Sequence, residues 1–172
     1  MATITKGRYY SKNWLNWKTR IRGINIIAKY DCIYIAGLLD GEGCIGLNMT
    51  KSPKGNQYYP HISITNTNKE VLDWVKITVG KGSVIKKPCN NPKYKTSYHW
   101  RIYGYLAIQF IKKIYPYLKI KKLQAETIMQ YEKTIQLKEY RHTVSDEIQK
   151  QRYEIRDKLT LLNKRGNDGS NN

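Results

Sequence analysis

The sequence predicts an α+β fold in the order helix–strand–strand–helix–strand–strand–helix, an αββαββα core with further helices at the C-terminus. Three observations predict it. An apolar, helix-length stretch runs directly into a strand-like alternation. Two pairs of alternating segments are each divided by turn-forming residues, and helix-spaced apolar positions recur between and after them. At 172 residues, one compact domain large enough to bury a real core is expected.

Residues 34–47 read Tyr-Ile-Ala-Gly-Leu-Leu-Asp-Gly-Glu-Gly-Cys-Ile-Gly-Leu. Gly37 and Gly41, four apart, leave one helix face without side chains, so another helix can approach at near-backbone contact. Glu42 lies near the helix C-terminus, where a carboxylate opposes the macrodipole, and Gly43 is the expected stop. An acid so placed calls for a compensating cation, which a metal ion would supply. Ile45, Leu47 and Met49 then alternate with Cys44, Gly46, Asn48 and Thr50 as a half-buried strand. Ser52-Pro53-Lys54-Gly55-Asn56 reads as a hairpin loop. Ile62 and Ile64 alternate with His61, Ser63 and Thr65 in a second strand.

Thr67-x-x-Glu70 has the form of a capping box and opens a helix with Val71, Leu72, Val75 and Val79 on one face. Gly80 and Gly82 break it. Strands over 83–87 and 97–103 follow, with Asn90-Asn91-Pro92 in the loop between them. Helical spacing returns at Leu106, Ala107, Phe110, Ile111 and Ile114, and Pro116 stops it. A helix is expected from Lys121 to Lys138. Another opens at Ser145 and carries Ile148, Ile155, Leu159 and Leu162 along one stripe. Residues 31–165 form the expected domain, and 166–172 a disordered polar tail.

Charge narrows the function. The formal net charge of +18, from 31 Lys+Arg against 13 Asp+Glu, points to a polyanionic partner. No stretch approaches the ~20 apolar residues that span a bilayer, so a membrane is not expected as partner. Cys32, Cys44 and Cys89 lack metal-ligand spacing and suit free thiols in a reducing compartment. Residues 1–30 contain no acid but carry seven Lys and Arg interleaved with Tyr9, Tyr10, Trp14 and Trp17. Two readings stand for this arm: a DNA-hugging extension, or an organellar transit peptide. The second would place the protein in a chloroplast or mitochondrion.

One face of an antiparallel sheet packed by helices is left for solvent or ligand. The outward positions read Asn48, Thr50, Tyr59, His61, Ser63, Thr65, Lys87, His99 and Arg101, with Ser52 at the hairpin tip; none is acidic. Such a set suits the major groove, where Arg reads guanine and Asn reads adenine. If Lys87 faces out, Ile85 must too.

Ile35, Ala36, Gly37, Leu38, Leu39, Asp40, Gly41, Glu42 and Gly43 resemble, position by position, the motif of the LAGLIDADG homing endonucleases. The element order over about 30–138 also resembles the core of that family. The resemblance implies a site-specific double-strand DNA endonuclease. With one motif it implies a homodimer on a long pseudo-palindromic site, with Ala36, Gly37, Asp40 and Gly41 at the seam. It further implies that Glu42 and the Gly41 carbonyl ligate Mg²⁺ or Mn²⁺, and that the paired acids straddle the site's centre across the minor groove and leave short 3′ overhangs. Pro116-Tyr117-Leu118-Lys119-Ile120-Lys121 is similar to the family segment that ends in a catalytic lysine, here Lys121; the other reading is a lysine in a basic helix start. Asn68 matches a water-positioning site or, equally, the first turn of its helix. Asp40 is expected to be structural. Lys164 and Arg165 match family residues that touch the DNA backbone. An RNA maturase bound to intron RNA, or a non-catalytic DNA-binding protein, are the alternatives on this scaffold.

Overall fold

The computed structural model of the chain describes residues 23–53, 55–87, 95–135 and 144–164. Most of the N-terminal arm, the Asn90-Asn91-Pro92 loop, Arg165 and the tail lie outside them. Helix α1 (Lys29–Glu42) leads into β1 (Gly43–Thr50) without a linker. β2 (Gln57–Asn66), α2 (Lys69–Val79), β3 (Ser83–Lys87), β4 (Ser97–Tyr103) and α3 (Tyr105–Ile114) complete the expected order. A 3₁₀ turn at Tyr115–Tyr117, α4 (Lys122–Gln130), a second 3₁₀ turn at Tyr131–Thr134 and α5 (Asp146–Asn163) follow. The strands form one antiparallel sheet in the order β1-β2-β4-β3.

Alternation decides the two faces. Ile45, Leu47, Ile62, Ile64, Trp100 and Ile102 point inward and are buried with Leu39, Leu72, Phe110 and Ile111. Trp100 meets the Phe110 ring edge-to-face at 5.2 Å, and its indole N–H donates to the Lys81 carbonyl (3.1 Å), which gives the polar tip of a buried ring its partner.

The α1–β1 junction is a steric device. Gly43 is extended (φ −102°), so its glycine is not there for a left-handed turn. A Cβ on it would lie 2.5 Å from the Leu39 carbonyl oxygen and 2.9 Å from the Leu39 Cα. Only glycine lets the strand leave the helix so abruptly, with Glu42 at the corner.

Two expectations are corrected. The cap of α2 is Asn68, not Thr67: its side chain accepts from the Val71 N–H (3.2 Å), and Asn is among the strongest N-cap residues. The helix expected over Lys121–Lys138 tightens to 3₁₀ after Gln130. There the Thr134 hydroxyl donates to the Tyr131 carbonyl (2.7 Å), a local bond that competes with helical pairing, and the Tyr131 hydroxyl donates to the Tyr58 carbonyl (2.7 Å). The apolar stripe of α5 also contains a buried Arg152, whose guanidinium donates to the Thr134 hydroxyl (3.0 Å) and carbonyl (2.6 Å) and lies over the Tyr131 ring. Arg152 thus bolts α5 to the turn that anchors on β2.

Helix α1 is apolar on two sides. Its inner side carries Ile35, Ala36 and Leu39, all buried. Its outer side shows Tyr30 (83% exposed), Ile33 (43%) and Tyr34 (55%), followed by the exposed Gly37 and Gly41. A helix apolar all round is normally covered on both sides.

Candidate nucleic-acid interface and active site

The strand register gathers the outward residues on one surface. Asn48 pairs with Tyr59, Gly46 with His61 and Thr50 with Gln57. Across β2 and β4, His61 pairs with Tyr103, Ser63 with Arg101 and Thr65 with His99. Ser83 faces Arg101 and Ile85 faces His99, while Lys87 ends the row opposite Ser97. Ile85 does point out with Lys87, at 46% exposure. Among the described residues no Asp or Glu stands on any strand. The face is therefore a broad surface of hydrogen-bonding groups with cations at one edge.

Two imidazoles are set into it. A Cβ at Gly46 would lie 3.1 Å from the His61 Nε2, so the glycine lets that ring lie close against β1. His99 shares a hydrogen bond between Nδ1 and the Thr65 hydroxyl (2.9 Å). Burial lowers the pKa of both histidines, and Arg101 lowers them further. Both therefore favour the neutral form; the His99 Nε2 and the His61 Nδ1 are buried without a partner among the described residues.

Helix α5 adds a wall that sequence reasoning missed. The Asn163 side chain donates to the Ile45 carbonyl (2.8 Å), pinning the end of α5 to β1. Arg156, Thr160, Asn163 and Lys164 then face Asn48, Tyr59 and His61 across a cleft of about 530 Å³. The spacing 156, 160, 163 on the side away from Ile155 and Leu159 was the available signal. Tyr103, two residues beyond Arg101, was another. Lys164 lies at this cleft, whereas Ser52 does not serve the face directly: its hydroxyl donates to the Gly55 carbonyl (2.8 Å), closing the hairpin turn.

At the edge of the face sits the corner of α1. Glu42 is exposed, and among the described residues no hydrogen bond or ion pair engages its carboxylate. Beside it, the Lys121 ammonium donates to the Asp40 carbonyl (2.5 Å) at the helix end. A cation at a helix C-terminus offsets the macrodipole, so the chain itself provides part of the compensation expected for Glu42. Cys44, the first outward residue of β1, has its thiol pKa raised by burial and partly offset by Lys121.

The seam expectation is corrected for two residues. Ala36 is fully buried in its own subunit's core, and Asp40 is 8% exposed with its carboxylate turned to backbone N–H groups of the same chain. Helical periodicity sends them inward and leaves Gly37 and Gly41 outward, where an added Cβ would meet nothing within 4 Å. Asn68 likewise spends its side-chain oxygen on the α2 cap. Asn68→Ala is expected to lower stability by about 1 kcal/mol in denaturant unfolding, and an unchanged midpoint would contradict the cap.

A divalent ion fits the corner in part. Glu42 could supply one hard oxygen ligand, and the Gly41 carbonyl lies in the last turn of α1, beyond the Leu39 and Asp40 carbonyls that already accept from the Gly43 N–H and the Lys121 ammonium. No group of three His, Cys, Asp or Glu that could hold a metal occurs among the described residues.

The described residues thus present an antiparallel sheet without acids, bordered by the exposed Glu42 carboxylate at a helix end. Residues 35–138 match the family model for LAGLIDADG endonucleases, and the chain belongs to that family. Its fold is similar to that of the homing endonuclease I-CvuI in complex with the I-CreI target in the presence of 2 mM Mg (TM-score 0.64, 20% identity, 82% of this chain and 87% of that one). It is similar also to the archaeal intron-encoded homing endonuclease I-Vdi141I complexed with DNA (0.64, 21%, 80% and 86%) and to the homing endonuclease I-TnaI (0.57, 19%, 80% and 97%). No curated protein matches the chain in sequence.

Proposed function

We propose that the protein is a site-specific DNA endonuclease that hydrolyses both strands as a homodimer. The observation that carries this reading is an exposed, unengaged Glu42 at the border of an acid-free face of polar and aromatic side chains. β2, at 10 residues, spans about 33 Å at ~3.3 Å per residue, or about ten base pairs. One subunit reads a half-site through Asn48, Thr50, Tyr59, His61, Ser63, Thr65, His99 and Arg101. Lys87 and Lys164, and Arg165 by its sequence match, would meet phosphates, which position rather than specify.

Two copies joined along Gly37 and Gly41 would bring two Glu42 carboxylates together and complete the ligand set. Mg²⁺ or Mn²⁺ held there supplies Lewis-acid stabilisation of the attacking and leaving oxygens. Glu42 and the Gly41 carbonyl would hold it, and Lys121 would stabilise negative charge developing on the phosphate. Cuts centred on the two-fold and offset across the minor groove leave short 3′ overhangs. The neighbours solved with DNA, one of them with Mg and another with Ca, support a DNA substrate and divalent metal use.

The test is selection for cleavage from a randomised double-stranded DNA library with Mg²⁺, against a chelator control. The expected product is one partly palindromic site about twenty base pairs long. Intact libraries under both Mg²⁺ and Mn²⁺ would overturn the proposal.

A further inference from the structure

Asp40 lies two residues before Glu42, yet its oxygens are directed to a segment some eighty positions away. Oδ2 accepts from the Lys119 N–H (2.7 Å) and Oδ1 from the Lys121 N–H (2.9 Å), contacts spanning 79 and 81 residues. Its carbonyl accepts from the Lys121 ammonium (2.5 Å). The carboxylate has no ion-pair partner among the described residues, so two backbone N–H groups are its compensation. Charge-assisted bonds of this kind are about twice as strong as neutral ones.

The segment so held is bounded by two local backbone bonds, the Leu118 N–H to the Tyr115 carbonyl (3.2 Å) and the Ala125 N–H to the Lys121 carbonyl (3.0 Å). It runs from Leu118, buried, through the exposed Lys119 and Ile120 (71% exposed) to Lys121, before α4 begins at Lys122. Lys121 itself makes no side-chain cap for α4. Of the bonds to Asp40, the two backbone ones fix where the Lys121 Cα sits, and the third fixes where its ammonium points. All three end on the residue that also sets the helix turn bearing Glu42.

We propose that Asp40 is a positioning residue for phosphodiester hydrolysis: by clamping the 119–121 backbone it fixes the Lys121 ammonium at a set distance from the Glu42 carboxylate. This rests on the reading of Lys121 as a group that acts at the scissile phosphate. Asp40 does not touch substrate. It makes two groups from distant parts of the chain into one rigid pair, which matters because a misplacement of about 1 Å can cost roughly a hundredfold in rate.

Asp40→Asn keeps the shape but turns one acceptor into an N–H₂ donor facing a backbone N–H. The expected result is a kcat lower by about a hundredfold, with KM and DNA affinity nearly unchanged. In the Lys121→Met background, Asp40→Asn should cost nothing further, because the clamp then has no ammonium to place. Equal losses in both backgrounds, or affinity falling in step with kcat, would overturn the proposal.

Amine-acylation footprinting read by mass spectrometry reports the clamp without any catalysis. Lys121 should be protected relative to the exposed Lys119 in the wild-type protein and lose that protection in Asp40→Asn; equal reactivity of Lys121 in both would overturn the clamp. An inert wild-type enzyme with an intact footprint difference would count against the nuclease reading instead. If Asp40→Asn does not fold, Lys119→Pro removes one N–H donor alone. Leu118 already has the extended conformation (φ −68°, ψ 141°) that a following proline requires. It should lower kcat and deprotect Lys121 in the same way, and unchanged values would refute the proposal.

Discussion

Glu42→Gln is expected to abolish strand cleavage while leaving DNA affinity within about twofold. Gln keeps the size and one oxygen of Glu but removes the charge that a hard divalent ion needs. Glu42 is exposed and unengaged, so the change breaks no hydrogen bond among the described residues and leaves the Gly43 corner intact. Metal-assisted stabilisation is worth several kcal/mol, and each 1.36 kcal/mol is tenfold, so the loss in single-turnover rate should exceed about a thousandfold. Affinity should if anything rise slightly, since one negative charge near phosphate is removed. Unaltered cleavage by Glu42→Gln would leave the metal role without support.

Gly37→Leu should convert a dimer to a monomer of 20.2 kDa without damaging the subunit. Gly37 lies on the outer face of α1, and an added Cβ meets nothing within 4 Å in a single chain. Leucine is also a better helix former than glycine by about 0.5–1 kcal/mol. Any harm must therefore come from the helix that packs against it. Overpacking costs about 1–3 kcal/mol per site, and two-fold symmetry places two copies at the seam. At least ~2 kcal/mol in all weakens association about thirtyfold. Sedimentation equilibrium at micromolar concentration reads this directly, with circular dichroism as the folding control. A Gly37→Leu protein that stays dimeric would place the seam elsewhere. The apolar outer stripe of Tyr30, Ile33 and Tyr34 would then need another cover.

Much of the fold was legible because period decides it locally. The alternation of Ile45 and Leu47 against Cys44 and Asn48 fixed the faces of β1. The same rule, applied with the hairpin at Ser52–Asn56, aligned the outward residues of β2. Gly43 is the stop that the sequence predicts, and its clearance from Leu39 in an extended backbone is why glycine is needed there. What sequence could not show were bonds between distant segments. Asp40 looked like a seam residue because its partners at 119 and 121 are invisible to periodicity. Arg152 broke an apolar stripe because its own partners lie on a 3₁₀ turn that propensity did not reveal. The α5 wall over Asn48 and His61 depends on where that helix docks, and a single Asn163 bond to β1 decides it.

The proposed function rests on two symmetry-related Glu42 carboxylates meeting over one DNA duplex. A crystal structure of the dimer with its selected DNA site and a divalent ion tests that most directly. Both Glu42 side chains should ligate ions that also contact the scissile phosphates, with each Lys121 ammonium alongside. Ions and scissile phosphates found remote from both Glu42 carboxylates would contradict the account.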